Sequence, residues 1–213
     1  MCSKKPKDRH LGVSEMPNGY LNTDEVTDVI CSLQLTLDAL DSAKQNSLYW
    51  KWIILALHSA VQGAIVCNLS GTAQLGACGK DSAKQWLCWH DDDDRSEKIS
   101  PKLWLADPRT MLKRLLGEED RIESTGAKVI KMNQDQRNAF KMLCELRNGF
   151  VHFHPMSWSI ELAGLPNMVS QILIFIEAIY EDGWSFRHAG DDQKATFTKT
   201  IVEIKKRLSN LTT

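Results

Sequence analysis

Net charge is almost absent from this chain: 26 lysines and arginines face 27 aspartates and glutamates over 213 residues, leaving a formal charge of −1. No global field gathers nucleic acid, so any RNA contact must come from a local patch. Long hydrophobic runs are missing too. The apolar run Trp52–Leu57 is only six residues, far short of a membrane span. His58, Ser59, Gln62 and Asn68 interrupt the helical pattern that continues it, and the segment reads as a central bundle helix. The six cysteines (Cys2, Cys31, Cys67, Cys78, Cys88, Cys144) include no C-x-x-C pair, which gives little basis for a zinc site. Cys31, Cys67 and Cys144 sit inside apolar helical patterns and read as reduced core residues of a cytoplasmic protein. Gly71-x4-Gly76 is not followed by Lys-Ser/Thr, which excludes a phosphate loop. No internal repeat is present. No apolar core follows the polar, basic Ser3–Arg9, so the start does not read as a signal peptide. Residues 1–20 are expected to be a disordered basic tail.

What is present is an ordinary globular composition, 43% hydrophobic and 25% charged, and a series of helical patterns. Asn22-Thr23-Asp24-Glu25 reads as a helix start, followed by Val26, Val29, Ile30, Leu33, Leu37 and Leu40 at helical spacing to about Asp41-Ser42. The next helix covers Ser47 to Leu69. On it Ala56, Ala60 and Ala64, and Ser59, Gly63 and Cys67, repeat every four residues, a spacing that lets helices approach closely. Asp81-Ser82 is expected to cap a short helix through Trp86 and Trp89. Ser100-Pro101 and Asp107-Pro108 both read as cap-plus-proline helix starts, the second stopping at Gly117. Glu118 to Gly126 reads as an exposed charged loop. A further helix begins near Asn133 and runs through Ala139, Phe140, Leu143, Cys144 and Leu146, with Arg147 at its end. Ser157–Leu162 alternates polar and apolar residues, suggesting a strand-like stretch packed by Trp158, Ile160 and Leu162. Two more helices follow, one opened by Gly164-Leu165-Pro166 and stopped by Gly183, the other marked by Phe197, Ile201, Ile204 and Leu208. The expected fold is mainly α: an up-and-down helical bundle over 21–213, with an insertion at about 70–130 and a short extended segment near 157–162.

Arg147-Asn148-Gly149-Phe150-Val151-His152 carries the most chemistry. Arginine holds phosphate through planar paired hydrogen bonds, and histidine can exchange a proton near neutral pH. On an unbroken helix, residues five apart stand about 140° out of phase. A site built from both therefore needs a bend, for which Gly149 is the candidate, or a second subunit. The plain reading makes Arg147 a cation at a helix C-terminus and His152 a packed histidine, with His154 the alternative titrating group. His58, Ser59 and Gln62 form a second polar set that could line a cleft near Arg147 or satisfy itself inside the bundle. Asp91–Asp94 reads as a solvated acidic loop before a metal site. Trp86, Trp89 and Trp104 read as core packing before base stacking. Lys205-Lys206-Arg207 reads as a complement to a helix dipole.

Arg147, Asn148 and His152 after a core helix resemble the motif of the HEPN superfamily, an arginine usually followed by a polar residue, then a histidine after four to six intervening residues. Tyr49-Trp50-Lys51-Trp52 with Ala56–Gly63, and Trp158-Ser159-Ile160-Glu161 through Gly164-Leu165-Pro166, are similar to segments of uncharacterised bacterial members. The resemblance covers roughly Leu21 to Asp182. It implies a helical bundle, often a homodimer, that binds RNA. It also implies that active members are metal-independent endoribonucleases with the motif in the dimer cleft, leaving 2′,3′-cyclic phosphate ends. Arg147, Asn148 and His152 would be the catalytic set, with no cofactor and no metal, and with His58, Ser59, Gln62 and His154 as secondary cleft residues. Other members are non-catalytic modules that bind a partner protein, such as a nucleotidyltransferase or an antitoxin.

Overall fold

In the computed structural model, residues 20–152, 155 and 157–210 are described. The tail expected over 1–20 lies, but for Tyr20, outside them, as do His154 and Cys2. The described residues form seven α-helices and no strand. They are α1 (Glu25–Ala43), α2 (Trp50–Leu69, entered through a 3-10 turn at Ser47–Tyr49), α3 (Lys80–His90), α4 (Pro108–Leu115), α5 (Gln134–Val151), α6 (Leu165–Glu181) and α7 (Asp191–Ser209).

Local sequence sets most of these boundaries. Asp24 caps α1 by accepting from the Thr27 amide at 2.7 Å. Asp107 caps α4 ahead of Pro108, accepting from the amides of Arg109 and Thr110. Asn133 and Gln136 exchange side-chain-to-backbone bonds of 2.8 Å in a capping box on α5. Gly117 and Gly183, with φ of +70° and +80°, end α4 and α6 in a backbone region that favours glycine.

The helices bundle around α2, whose Ile53, Ile54, Leu57, Ala60, Val61, Ala64 and Ile65 are buried. α1 packs along α2 and α7, α5 packs on α6 and α2, and α4 on α2. One buried cluster draws on every helix except α3. Leu75, Cys78 and Ala83 form a small second cluster in the insertion, flanked by Trp86 and Ile122. The small-residue repeat on α2 permits close packing: a Cβ on Gly63 would stand 2.7 Å from Val29 Cγ2 on α1. Ser47–Leu69 is the one segment among the described residues long and apolar enough to cross a membrane, and it is mostly buried inside the bundle.

Several expectations are corrected. Ser100-Pro101 opens no helix; the chain there runs irregularly to a single antiparallel bridge between Leu105 and Cys78. The backbone is held there because Gly79 N donates to Trp104 O and Ala106 N to Ala77 O, each at 2.9 Å. Ser157–Leu162 forms no strand, since no neighbouring strand offers it a ladder. Ile160 packs on the core, whereas Trp158 and Leu162 stay 41% and 43% exposed. The loop from Glu118 to Gly126 is more than an exposed charged loop. Glu123 accepts from the Gly71 and Leu75 amides, and Arg121 donates to Thr125, Asn68 and the Lys128 carbonyl. Cys31 is exposed rather than core, because it sits on the outer face of α1. Trp104 is 66% exposed, whereas Trp86 does pack on the small cluster of Leu75, Cys78 and Ala83 and also meets Trp89, their ring centroids 5.1 Å apart. Lys205 pairs with Glu177 and Arg207 with Asp41, tying α7 to α6 and α1.

Candidate functional site

α2 and α5 meet at a groove formed by two adjoining cavities of about 520 and 490 Å3. Three residues line both: His58 and Gln62, one turn apart on α2, and Arg147 on the facing side of α5. Ser59 lines the first cavity and donates to Asp28 Oδ2 at 3.1 Å. Asn148 lines the second and accepts from Arg147 Nη1 at 3.0 Å. Two of the secondary cleft residues on α2 therefore join Arg147, and the third lies beside it.

His152 does not. It is the exposed C-cap of α5, its amide donating to Asn148 O at 2.8 Å, and it lines neither cavity. Gly149, the candidate for a bend had one chain supplied both groups, does not break the helix, because α5 continues through it to Val151. Gly149 serves another purpose. A Cβ there would stand 2.5 Å from the Trp158 ring, so the glycine gives that ring its seat. Trp158 then stacks obliquely on Phe150, centroids 4.8 Å apart. With the helix unbroken, Arg147 and His152 of one chain keep the phase offset expected from their spacing.

The electrostatics of the groove are mixed. Burial, reinforced by the Arg147 charge, pulls His58 down to about 4 from 6.5, so its ring is neutral at pH 7. The ring is 6% exposed. Among the described residues it has no hydrogen-bond partner. Arg147 is half-buried, and no carboxylate among the described residues lies within ion-pair distance of it.

Around this centre runs a rim the sequence did not reveal, of Asp24, Glu25 and Asp28 on one side and Asp107 and Glu145 on the other, with Arg109. Two of these acids are helix caps. The Thr27 amide holds Asp24 low, and Thr110 does the same for Asp107, so both stay ionised. Only their positions N-terminal to α1 and α4, both packed on α2, could have hinted at the rim. Cys144 also lines the second cavity, but burial pushes its thiol up to about 11, leaving no thiolate nucleophile at neutral pH.

The aspartate loop does not converge. Asp92 binds Lys98 Nζ at 2.5 Å, and no group of three potential metal-ligating side chains occurs among the described residues. The metal reading of Asp91–Asp94 is thereby overturned: adjacent residues leave the backbone in different directions.

Where the two cavities meet, the arrangement presents the Arg147 guanidinium, the neutral His58 imidazole and the Gln62 carboxamide to a shared space, with Asn148 and a second cation, Arg109, in the second cavity. It can bind a single anionic group and offer or accept hydrogen bonds beside it. No protein-family model, curated protein or solved structure matches the chain.

Proposed function

We propose that the chain is an HEPN-like, RNA-binding homodimer of the cytoplasm, whose Arg147 groove receives a phosphate of single-stranded RNA and whose paired motifs cleave it without a metal. The observation that supports this best is Arg147 itself. It is half-buried between two cavities, bonded to Asn148 and to no carboxylate among the described residues. An arginine placed there for stability alone would be expected to meet a carboxylate or carbonyls, as Arg114 does.

Arg147 stabilises charge on the phosphate, and Asn148 orients the guanidinium. His152, standing off the groove of its own chain, acts on the scissile group in the groove of the partner protomer. As base it takes the proton of the ribose 2′-OH; the 2′ oxygen bonds to phosphorus as the P–O5′ bond breaks, and a protonated group or water returns a proton to the 5′ oxygen. The products are a 2′,3′-cyclic phosphate and a 5′-OH. DNA, lacking the 2′-OH, is spared.

The acidic rim shapes this reading. A groove whose two unpaired arginines among the described residues, Arg147 and Arg109, stand among five carboxylates suits one phosphodiester flanked by donor groups, and disfavours a run of phosphates such as a duplex presents. Cleavage of single-stranded RNA in EDTA tests the proposal. The wild type cuts, and Arg147→Ala and His152→Ala do not; no cleavage by pure protein, or unchanged cleavage by both variants, ends the nuclease reading. Light scattering should give a dimer at micromolar concentration, and a monomer would contradict the shared site.

A second reading has its own observation. Trp52, Phe150, Trp158 and Leu162 line an apolar depression of about 530 Å3 at the end of α5, with Trp52 49% exposed. Such a surface suits a protein partner, such as a nucleotidyltransferase or antitoxin, held by a non-catalytic dimeric module. No cleavage in the same assay, with the dimer intact, favours it.

A further inference from the structure

Within one protomer the histidine that shares the groove with Arg147 is His58, not His152. His58 projects from the middle of the core helix α2, is 6% exposed, and lines both halves of the groove together with Gln62 and Arg147. A buried polar ring normally has a partner. The described residues give this one none, and its open direction is the cavity.

We propose that His58, Gln62 and Arg147 of a single protomer form a phosphate subsite, holding one phosphodiester oxyanion between the guanidinium and the imidazole. This rests on the RNA reading for the ligand's source, though the subsite itself requires only an oxyanion. The guanidinium supplies charge, the imidazole N–H and the Gln62 amide supply neutral donors, and Asn148 sits at the same guanidinium.

Binding then moves a proton. The charged and titratable groups around the ring are Asp24, Glu25 and Asp28 from the α1 side, Asp107 and Arg109 from α4, and Cys144, Glu145 and Arg147 from α5. Of these, Arg147 is the one that acts on His58, and it opposes protonation, as does burial. An oxyanion seated between the two cancels the push from Arg147 and adds an attraction of its own. The imidazolium is stabilised in the complex, and the anion binds more tightly as the pH falls.

The test follows the six histidine rings of the full-length protein by NMR from pH 7.5 downward, assigned with His58→Gln. Titrations are run without ligand, with sulfate, which does not titrate in this range, and with a ribodinucleoside monophosphate. The His58 midpoint, about 4 without ligand, should rise by about one unit or more in sulfate. Sulfate should then bind about twofold tighter at pH 5 than at pH 7. Arg147→Ala should raise the ligand-free midpoint and abolish the response to sulfate, which keeps the test available if His58→Gln does not fold. A His58 midpoint that neither ligand moves overturns the subsite, even if longer RNA binds. Movement with sulfate but not with the dinucleoside monophosphate supports an oxyanion subsite and counts against RNA as its source.

Discussion

Two polar centres lie along the same core helix, and they are built differently. At the C-terminal end of α2, Asn68 donates to Ser185 Oγ at 3.1 Å and accepts from Arg121 Nη2 at 3.1 Å, while Asp182 accepts from the Lys128 amide. Nearby, Arg114 is 1% exposed, donates to the carbonyls of Gly76 and Cys78, and lies 3.7 Å from Glu119. These groups pin the loops of the insertion to the bundle. In the middle of α2, by contrast, His58 has no hydrogen-bond partner among the described residues, and Arg147 reaches only its neighbour Asn148. One centre is closed except for Arg114 Nε, which has only the Glu119 carboxylate at 3.7 Å, and it holds the fold. The other is open and leaves its donors facing a groove. The difference between a structural and a binding polar cluster lies in satisfaction, not in residue type.

The largest effect should come from breaking the closed centre. Arg114→Ala leaves two buried carbonyls without their partner, although Glu119 keeps Lys80, and should cost about 3–5 kcal/mol in urea unfolding. A cost below about 1 kcal/mol would erase the contrast. Next comes pH. The folded-state midpoint of His58 lies near 4 and the unfolded one near 6.5, so the unfolded chain takes up the proton first as the pH falls. The stability associated with a neutral His58 is fully present above about 6.5 and is lost as the pH falls toward 4. The full loss is about 3 kcal/mol. His58→Gln should flatten this window, and an equally steep decline in that variant would assign the decline to other groups.

Gly149→Ala should cost about 1–3 kcal/mol by pushing the Trp158 ring from its seat, with a change in tryptophan fluorescence. Gly164→Ala, with open space around it and negative φ, should be neutral or slightly stabilising. Equal effects at the two glycines would contradict the packing role of Gly149. The smallest stability change belongs to the open centre. Arg147→Ala should stay within about 0.5 kcal/mol of wild type, because its guanidinium contacts no buried acceptor outside its own helix.

Much of this was legible in the sequence. Asp24, Asp107 and Asn133 announced the starts of three helices because capping is local chemistry. The apolar periods of α1, α6 and α7 announced their buried faces, since Phe197, Ile201, Ile204 and Leu208 are buried as their spacing required. What failed depended on distant partners. Ser100-Pro101 looked like Asp107-Pro108, and only the bridge to Cys78 separates them. Gly149 looked like a hinge, and only Trp158, nine positions later, shows it to be a packing site. Arg147 and the polar set on α2 were both visible as candidates. Their meeting across the α2–α5 contact was anticipated, but the acidic rim contributed by α1 and α4 was not, because helix-capping acids look the same wherever their helices dock.

The most direct measurement is the affinity of a fluorescent single-stranded RNA for wild-type protein and Arg147→Ala, in EDTA, across salt concentrations. If Arg147 holds one phosphate in an open groove, the variant loses about 10–100-fold in affinity at unchanged stability. The wild-type logarithmic salt slope should be shallow, about −0.7 for a single neutralised phosphate. Equal affinity in wild type and variant, or a wild-type slope of about −3 or steeper carried by other cations, would contradict the groove as the RNA site.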